Sequence, residues 1–421
     1  MSLVHSSTTP RTTGTARRGQ RWAVVSTFPP TPCGLATFTQ SLLRGLAGHG
    51  VDVDVVRVLE AVEPVPKGVR THLVNGSPES LAAAVTALDG YDVVLLQHEF
   101  GIYGGPDGEE VLELLRGLSV PVVTVLHTVL AHPNDHQRDV LQAVVAASDH
   151  VVTMTRTARE RLLSGYRTRP GGVHLIPHGA ADALVALGAA AHDGVGASHR
   201  PLVLTWGLLG PGKGIEWAID ALAELTDLDP APLYVVAGRT HPRVVEQRGE
   251  QYRDGLRARA VERGVGSDVV FDDHYLSPDD LHRLVRAADV VLLPYDSVEQ
   301  VTSGVLIEAV AAGRPVVSTR FPHAVELLEG GAGLLVDQRD PAAIAAALRR
   351  VLTDPELAAG MSGAAQAIAP DLSWHAVAGR YLAVGHAVRP ATGTAGRTRA
   401  GGGARPVAGR AAVDVRSSVP A

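Results

Sequence analysis

From Trp22 onward, short β-branched and apolar runs alternate with longer stretches of amphipathic, helix-like spacing. Candidate strands are Trp22–Thr27, Val51–Val58, Val93–Gln97, Val120–Leu126, His150–Met154 and His174–Ile176. A Gly/Ala-rich break near residues 180–200 interrupts this pattern. It restarts with Leu202–Trp206, Leu233–Ala237, Val269–Phe271, Val290–Pro294, Val316–Ser318 and Leu334–Val336. Runs that are apolar throughout belong to strands covered on both faces, and the helices between them make the sheets parallel. Two such series predict an α/β protein of two doubly wound, Rossmann-like domains. Ligands are then expected beyond the C-terminal ends of the strands, in the cleft between the domains.

At 421 residues the chain is too long for one ordinary core, which agrees with two domains. The expected boundaries are 21–180 for an N-terminal domain, 181–199 for a linker, and 200–373 for a C-terminal domain. Residues 374–388 are expected to form one more helix. Residues 1–20 and 389–421 are low in complexity and rich in Ser, Thr, Gly and Arg, so they are expected to be disordered tails. The formal net charge of −6 provides no global basic field and argues against nucleic acid as a partner. A single cysteine, Cys33, excludes an internal disulfide framework. No apolar run approaches the ~20 residues of a membrane helix, and the N-terminus lacks the apolar core of a secretory signal. The expectation is a cytoplasmic protein.

Two segments carry the chemistry. In Leu202–Ala221, LVLTWGLLGPGKGIEWAIDA, a glycine-rich turn joins a strand to a helix and presents Lys213. The stretch Gly207–Gly214 approaches a Walker A loop, but position 214 is Gly rather than Ser or Thr, so there is no hydroxyl for magnesium, and Pro211 removes one N–H donor. A pyrophosphate-facing turn survives both objections. In Ser303–Thr319, SGVLIEAVAAGRPVVST, a helix enters at Ser303-Gly304 and stops at Gly313. Its first N–H groups suit a phosphate, and Glu308, one turn in, suits two ribose hydroxyls. A structural turn with a solvated lysine, and a Glu308 paired with a surface base, are the plain alternatives. No zinc-type spacing occurs: His132, Asp135 and His136 do not form one helical face, and no metal is expected.

With these motifs the chain resembles the retaining glycosyltransferases of family four, which have the GT-B fold, over about Trp22 to Val388. That family carries a G-R-L-x-x-x-K-G loop; Lys213-Gly214 match it, but the arginine position is Leu208. The family's glutamate pair falls on Gln300 and Glu308, so the ribose-holding glutamate is kept and the sugar-contacting one is an amide. The resemblance implies a hexosyl transfer from a nucleoside diphosphate sugar, UDP- or GDP-linked, to a hydroxyl of a sugar or glycan acceptor, with retention at the anomeric carbon. The donor is a co-substrate; no tightly bound cofactor is implied. Peripheral membrane contact is implied only for a lipid-linked acceptor. His127, Lys213 and Glu308 are the implied catalytic residues. Gly34, Gly207, Gly214, Gln300, Ser303, Gly304, Val305 and Leu306 join Glu308 around the donor. Losing the arginine removes a cation beside the leaving diphosphate, and Arg239 and Arg320 are candidates to replace it. A nucleotide-sugar isomerase or hydrolase, and a non-catalytic nucleotide-sugar-binding protein, are the alternatives that Leu208 and Gln300 motivate.

In the N-terminal half, Pro29–Leu46 contains Cys33-Gly34 where the family has a glycine-rich loop, and Cys33 reads as a packing residue rather than a nucleophile. QHEFGIYGG (Gln97–Gly105) and HTV (His127–Val129) follow successive strands, so His98, Glu99, Phe100, Tyr103 and His127 are expected on the cleft. Phe100, Ile102 and Tyr103, among three glycines, are expected to form a mobile aromatic loop for an acceptor sugar, with core packing the competing reading. IPHG (Ile176–Gly179) resembles the family's I-P-N-G before the linker, and the resemblance implies that the helix 374–388 crosses back to the first domain with Trp374 as its anchor.

Overall fold

The computed structural model describes residues 20–388 apart from 32, 190–199, 275 and 298–300. Gln300, the expected linker beyond residue 189 and nearly all of both expected tails lie outside the described residues.

Thirteen strands are described: β1 (Trp22–Ser26), β2 (Val53–Leu59), β3 (Val69–Val74), β4 (Val93–His98), β5 (Val122–Leu126), β6 (His150–Thr153), β7 (Val173–Leu175), β8 (Leu202–Trp206), β9 (Leu233–Ala237), β10 (Val269–Asp272), β11 (Val290–Leu293), β12 (Val316–Thr319) and β13 (Gly333–Val336). They form two sheets, ordered β3-β2-β1-β4-β5-β6-β7 and β10-β9-β8-β11-β12-β13. Every pairing is parallel, as in Trp22 with Val53 and Val93, or Val203 with Tyr234 and Val290. The central strands are buried along their whole length, which is why their sequences are apolar without alternation. These are the two doubly wound domains expected from the hydrophobic pattern.

Strand β3 was not among the expected strands. It lies on the edge of the first sheet, and Arg70, Thr71 and His72 interrupt its apolar run. The expected linker also begins too early. A helix, Asp182–Ala189, occupies its first part, and Ala180 and Leu184 pack with Leu306 and Leu372 in the core of the second domain.

The helix Trp374–Ala387 runs back onto the first domain. Its Trp374, Val377, Ala378 and Tyr381 share one core with Trp22, Phe38, Leu42 and Leu46, from β1 and the helix Gly34–Gly48. Backbone approaches ring most closely at Gly385, where a Cβ would stand 2.0 Å from Cη2 of the fully buried Trp22. Gly385→Ala is therefore expected to lower stability by about 1–3 kcal/mol through overpacking. Chemical denaturation of the variant checks this, and an unchanged midpoint would contradict the packing. Among the described residues no helix is long and apolar enough to cross a membrane.

Candidate active site

In both sheets the strand order reverses beside the first strand, between β1 and β4 and between β8 and β11. Crevices open at such switch points, beyond the carboxyl ends of the strands. The Gly207–Gly214 turn follows β8, and the segment leading to Ser303 follows β11. The lysine turn and the Gly304 helix are thus neighbours across the crevice, although 90 positions separate their sequences.

The turn is held in place by glycine. Gly214 caps the helix Ile215–Leu222 with φ +65°, and a Cβ there would fall 1.8 Å from the carbonyl oxygen of Pro294. No other residue fits, so the absent P-loop hydroxyl follows from close packing of the turn against the end of β11. Gly214 is buried and serves this conformation rather than offering a donor surface. Lys213 Nζ lies 4.3 Å from the ring centre of Tyr295, whose buried ring stacks on Phe321. The aromatic face thus locates the ammonium at the mouth of the crevice.

Across from it, the helix Gly304–Ala311 begins with Ser303, whose Oγ accepts the Leu306 N–H at 3.3 Å. The Ser303 N–H donates to Nδ1 of His323 at 2.8 Å. The dipole leaves this end positive, suited to an anion. Val305 borders Gly207, with its Cγ2 3.5 Å from where a Cβ on that glycine would stand. Leu306 is in the core, so only its backbone belongs to the site. Glu308, one turn in, accepts the indole N–H of Trp206 at 3.2 Å. Burial pushes its carboxyl up to about 7, against the opposing indole bond.

The first domain contributes imidazoles. His127 Nε2 donates to Gln97 Oε1 at 2.7 Å, and His178 Nδ1 donates to its neighbouring Gly179 carbonyl at 2.7 Å. Both rings meet Phe38 edge-on, with centroids 4.8 and 5.0 Å away. His178 reaches the second domain: its Cε1 and Nε2 lie 3.3 Å from where Gly304 would carry a Cβ. Burial lowers His127 to about 3, with His178 and His98 adding to the effect, and lowers His178 to about 4. Both rings are neutral hydrogen-bonding groups at physiological pH. Glu99 accepts from Thr128 Oγ1 and from the Phe100 N–H at 3.0 Å. Its burial raises the carboxyl, while those two bonds and the charge of Arg243 oppose the rise.

Other expected positions lie elsewhere. His98 is fully buried with its ring edge-on to Phe100, so it sits beneath the cleft surface. Tyr103 is also buried, its hydroxyl donating to the Gln97 carbonyl at 2.7 Å, so it packs in the core and provides no acceptor platform. The loop expected to be mobile is pinned by this bond and by Asn75 Nδ2, which donates to the Ile102 carbonyl at 3.2 Å. Phe100 is half-buried against the Leu126 and Val129 cluster. Gly34 is the exposed first residue of its helix, capped by Cys33 Sγ, which accepts from Ala36 N–H at 3.4 Å. Arg320 is exposed and pairs with Asp337 at 3.3 Å. Arg239 is exposed at the end of β9, where its carbonyl accepts the Leu209 N–H at 2.8 Å. Trp206, Tyr295, His323 and Arg243 were not singled out from the sequence. Only their places at strand ends and helix starts could have drawn attention to them.

Comparison with known proteins follows this geometry. Residues 200–354 match the family model described as glycosyl transferases group 1, and residues 32–183 match glycosyltransferase family 4. A D-inositol 3-phosphate glycosyltransferase of Acidothermus cellulolyticus is 31% identical over 388 residues, covering 81% of this chain and 82% of that protein. The protein of that name from Corynebacterium efficiens is 28% identical over 388 residues, covering 82% and 88%. A solved glycosyltransferase of Rickettsia africae superimposes with a TM-score of 0.70 at 14% identity, covering 88% and 99% of the two chains. Anabaena HepE, solved in complex with UDP, gives 0.68 at 18% identity, covering 88% and 100%. The structural likenesses show the fold, GT-B. Taken with the sequence relatives, they place the chain among the group 1, family 4 glycosyltransferases.

Proposed function

We propose that this glycosyltransferase moves a hexosyl unit from a nucleoside diphosphate sugar, UDP- or GDP-linked, to a hydroxyl acceptor with retention of anomeric configuration. The observation that carries this reading is the convergence of Lys213, the Gly304 helix start and Glu308 on one switch-point crevice. In this reading Glu308 accepts the ribose hydroxyls, while Lys213 and the positive helix end stabilise charge developing on the diphosphate. His127, held by Gln97, positions the transferred sugar or the attacking hydroxyl. Closure of the two domains excludes water that would otherwise hydrolyse the donor. Departure and attack on one face of the sugar give retention, and the departing diphosphate takes the acceptor proton. The names of the sequence relatives favour a phosphorylated polyol as acceptor. A cytoplasmic location suits a nucleotide-sugar donor.

The donor is tested by measuring melting temperature with UDP-, GDP- and ADP-sugars, since a ligand at 100 times its Kd adds about 2.7 kcal/mol of stability. One sugar nucleotide is expected to raise it, and the same donor to support transfer to an inositol phosphate or another polyol. No shift with any donor would defeat the reading. A shift with donor cleavage but no acceptor dependence would instead favour a hydrolase.

A further inference from the structure

The leaving diphosphate of the proposed reaction carries more negative charge than one lysine offsets, and the position that would carry the second cation is Leu208. Another cation stands beside the lysine turn. Leu209 pairs with Thr240 in an isolated parallel bridge: Leu209 N–H donates to the Arg239 carbonyl and His241 N–H to the Leu209 carbonyl, both at 2.8 Å. The helix Pro242–Arg248 starts from this ladder, and Val244 Cγ2 comes within 3.2 Å of where Gly210 would carry a Cβ. The helix is therefore packed directly against the Lys213 turn.

From that helix Arg243 crosses to the first domain, where its Nη2 donates to the Gly101 carbonyl at 3.3 Å. Its charge also acts on Glu99, which is oriented by Thr128, the residue after His127. Burial lowers His241, and the charges of Arg243 and Lys213 add to the effect. The Arg243 bond is long and goes to a neutral carbonyl, so a better acceptor can claim the guanidinium. Arg320, by contrast, is engaged with Asp337 on the surface. Resting on the glycosyltransferase reading, we infer that Arg243 is the second diphosphate-binding cation, supplied from the helix after β9 and spanning the two domains, in place of the arginine absent at position 208. A bidentate guanidinium matches phosphate geometry, and its position across the cleft couples diphosphate binding to closure.

The test is isothermal titration of the full chain with UDP, GDP and ADP, their nucleosides, and inorganic pyrophosphate, for wild type, Arg243→Ala, Arg243→Lys and Arg239→Ala. Arg243→Ala is expected to weaken nucleoside diphosphate and pyrophosphate binding about tenfold or more, as loss of a charge-assisted bond does. Nucleoside affinity should stay the same, Arg243→Lys should recover part of the loss, and Arg239→Ala should resemble wild type. Wild-type pyrophosphate affinity in Arg243→Ala, or equal losses for nucleoside and diphosphate, would overturn the inference. A wild type that binds pyrophosphate but no nucleoside diphosphate would overturn the donor reading alone, leaving Arg243 to be judged on pyrophosphate. Binding of neither would overturn both.

Discussion

Lys213→Ala and Glu308→Ala are each expected to cut transfer by at least ~100-fold, the scale of losing one preorganised donor to a developing anion. The two losses should differ in kind. Lys213 would act on charge that grows as the diphosphate leaves, so its removal should fall on kcat. Glu308 would act on ribose hydroxyls that do not change during reaction, so its removal should fall on the donor KM. The pH dependence separates them further. Burial holds the Glu308 carboxyl at about 7, so below that pH it must lose a proton before accepting two hydroxyls. Donor KM should then rise as pH falls through 7, approaching tenfold per unit, and Glu308→Gln should lose this dependence. The sugar nucleotide itself does not titrate in this range, and burial lowers His127, His178 and His323 to about 3, 4 and 3, well away from it. Steady-state kinetics from pH 5.5 to 8.5 read all three effects. Rates within a few-fold of wild type in both alanine variants would defeat the assignment of the site.

The two sheets were legible because β1, β4, β8 and β11 are buried from end to end and therefore continuously apolar. Strand β3 escaped because an edge strand tolerates Arg70 and Thr71, which break the run. The helix Asp182–Ala189 escaped because alanine and glycine read equally well as linker until Leu184 is seen in the second core. The turn that carries Lys213 and the helix that carries Glu308 were legible because each is a local motif that can be read from neighbouring residues. What supports them was not legible. The indole that orients Glu308 comes from Trp206, a hundred positions earlier, and only the pairing of β8 with β11 brings the two together. Tyr103 and Phe100 lie three positions apart on one loop, yet one is buried in the core and the other is half-buried against a different cluster. Nothing in the residue types distinguishes them; the carbonyl that Tyr103 reaches does.

Stability should fall steeply below pH 6.5, because the protein folds around buried histidines in the neutral form. Burial is the leading cause for each: His98 is lowered to about 4, His127 to about 3, His178 to about 4 and His323 to about 3. His72, His174 and His241 are lowered as well. A depressed folded value means that the unfolded chain binds the proton first. Stability is then fully present above about 6.5 and is lost as pH falls toward the folded values, at about 1.4 kcal/mol per pH unit for each group. Glu308 and Glu99 act in the opposite sense, since their raised carboxyls take up protons in the folded state. Two carboxyls do not offset four buried histidines, so a net loss of several kcal/mol by pH 5 is expected, comparable to the ~5–15 kcal/mol of a typical domain. His98 is the sharpest probe, because neither of its buried ring nitrogens has a hydrogen-bond partner. His98→Leu should therefore raise stability at pH 5 more than at pH 8 and reduce the pH slope by one proton's worth. Denaturant titrations at pH 5, 6, 7 and 8 measure this directly. A wild-type stability that is flat across the range, or a His98→Leu slope equal to wild type, would show that these imidazoles are not buried neutral in the folded protein.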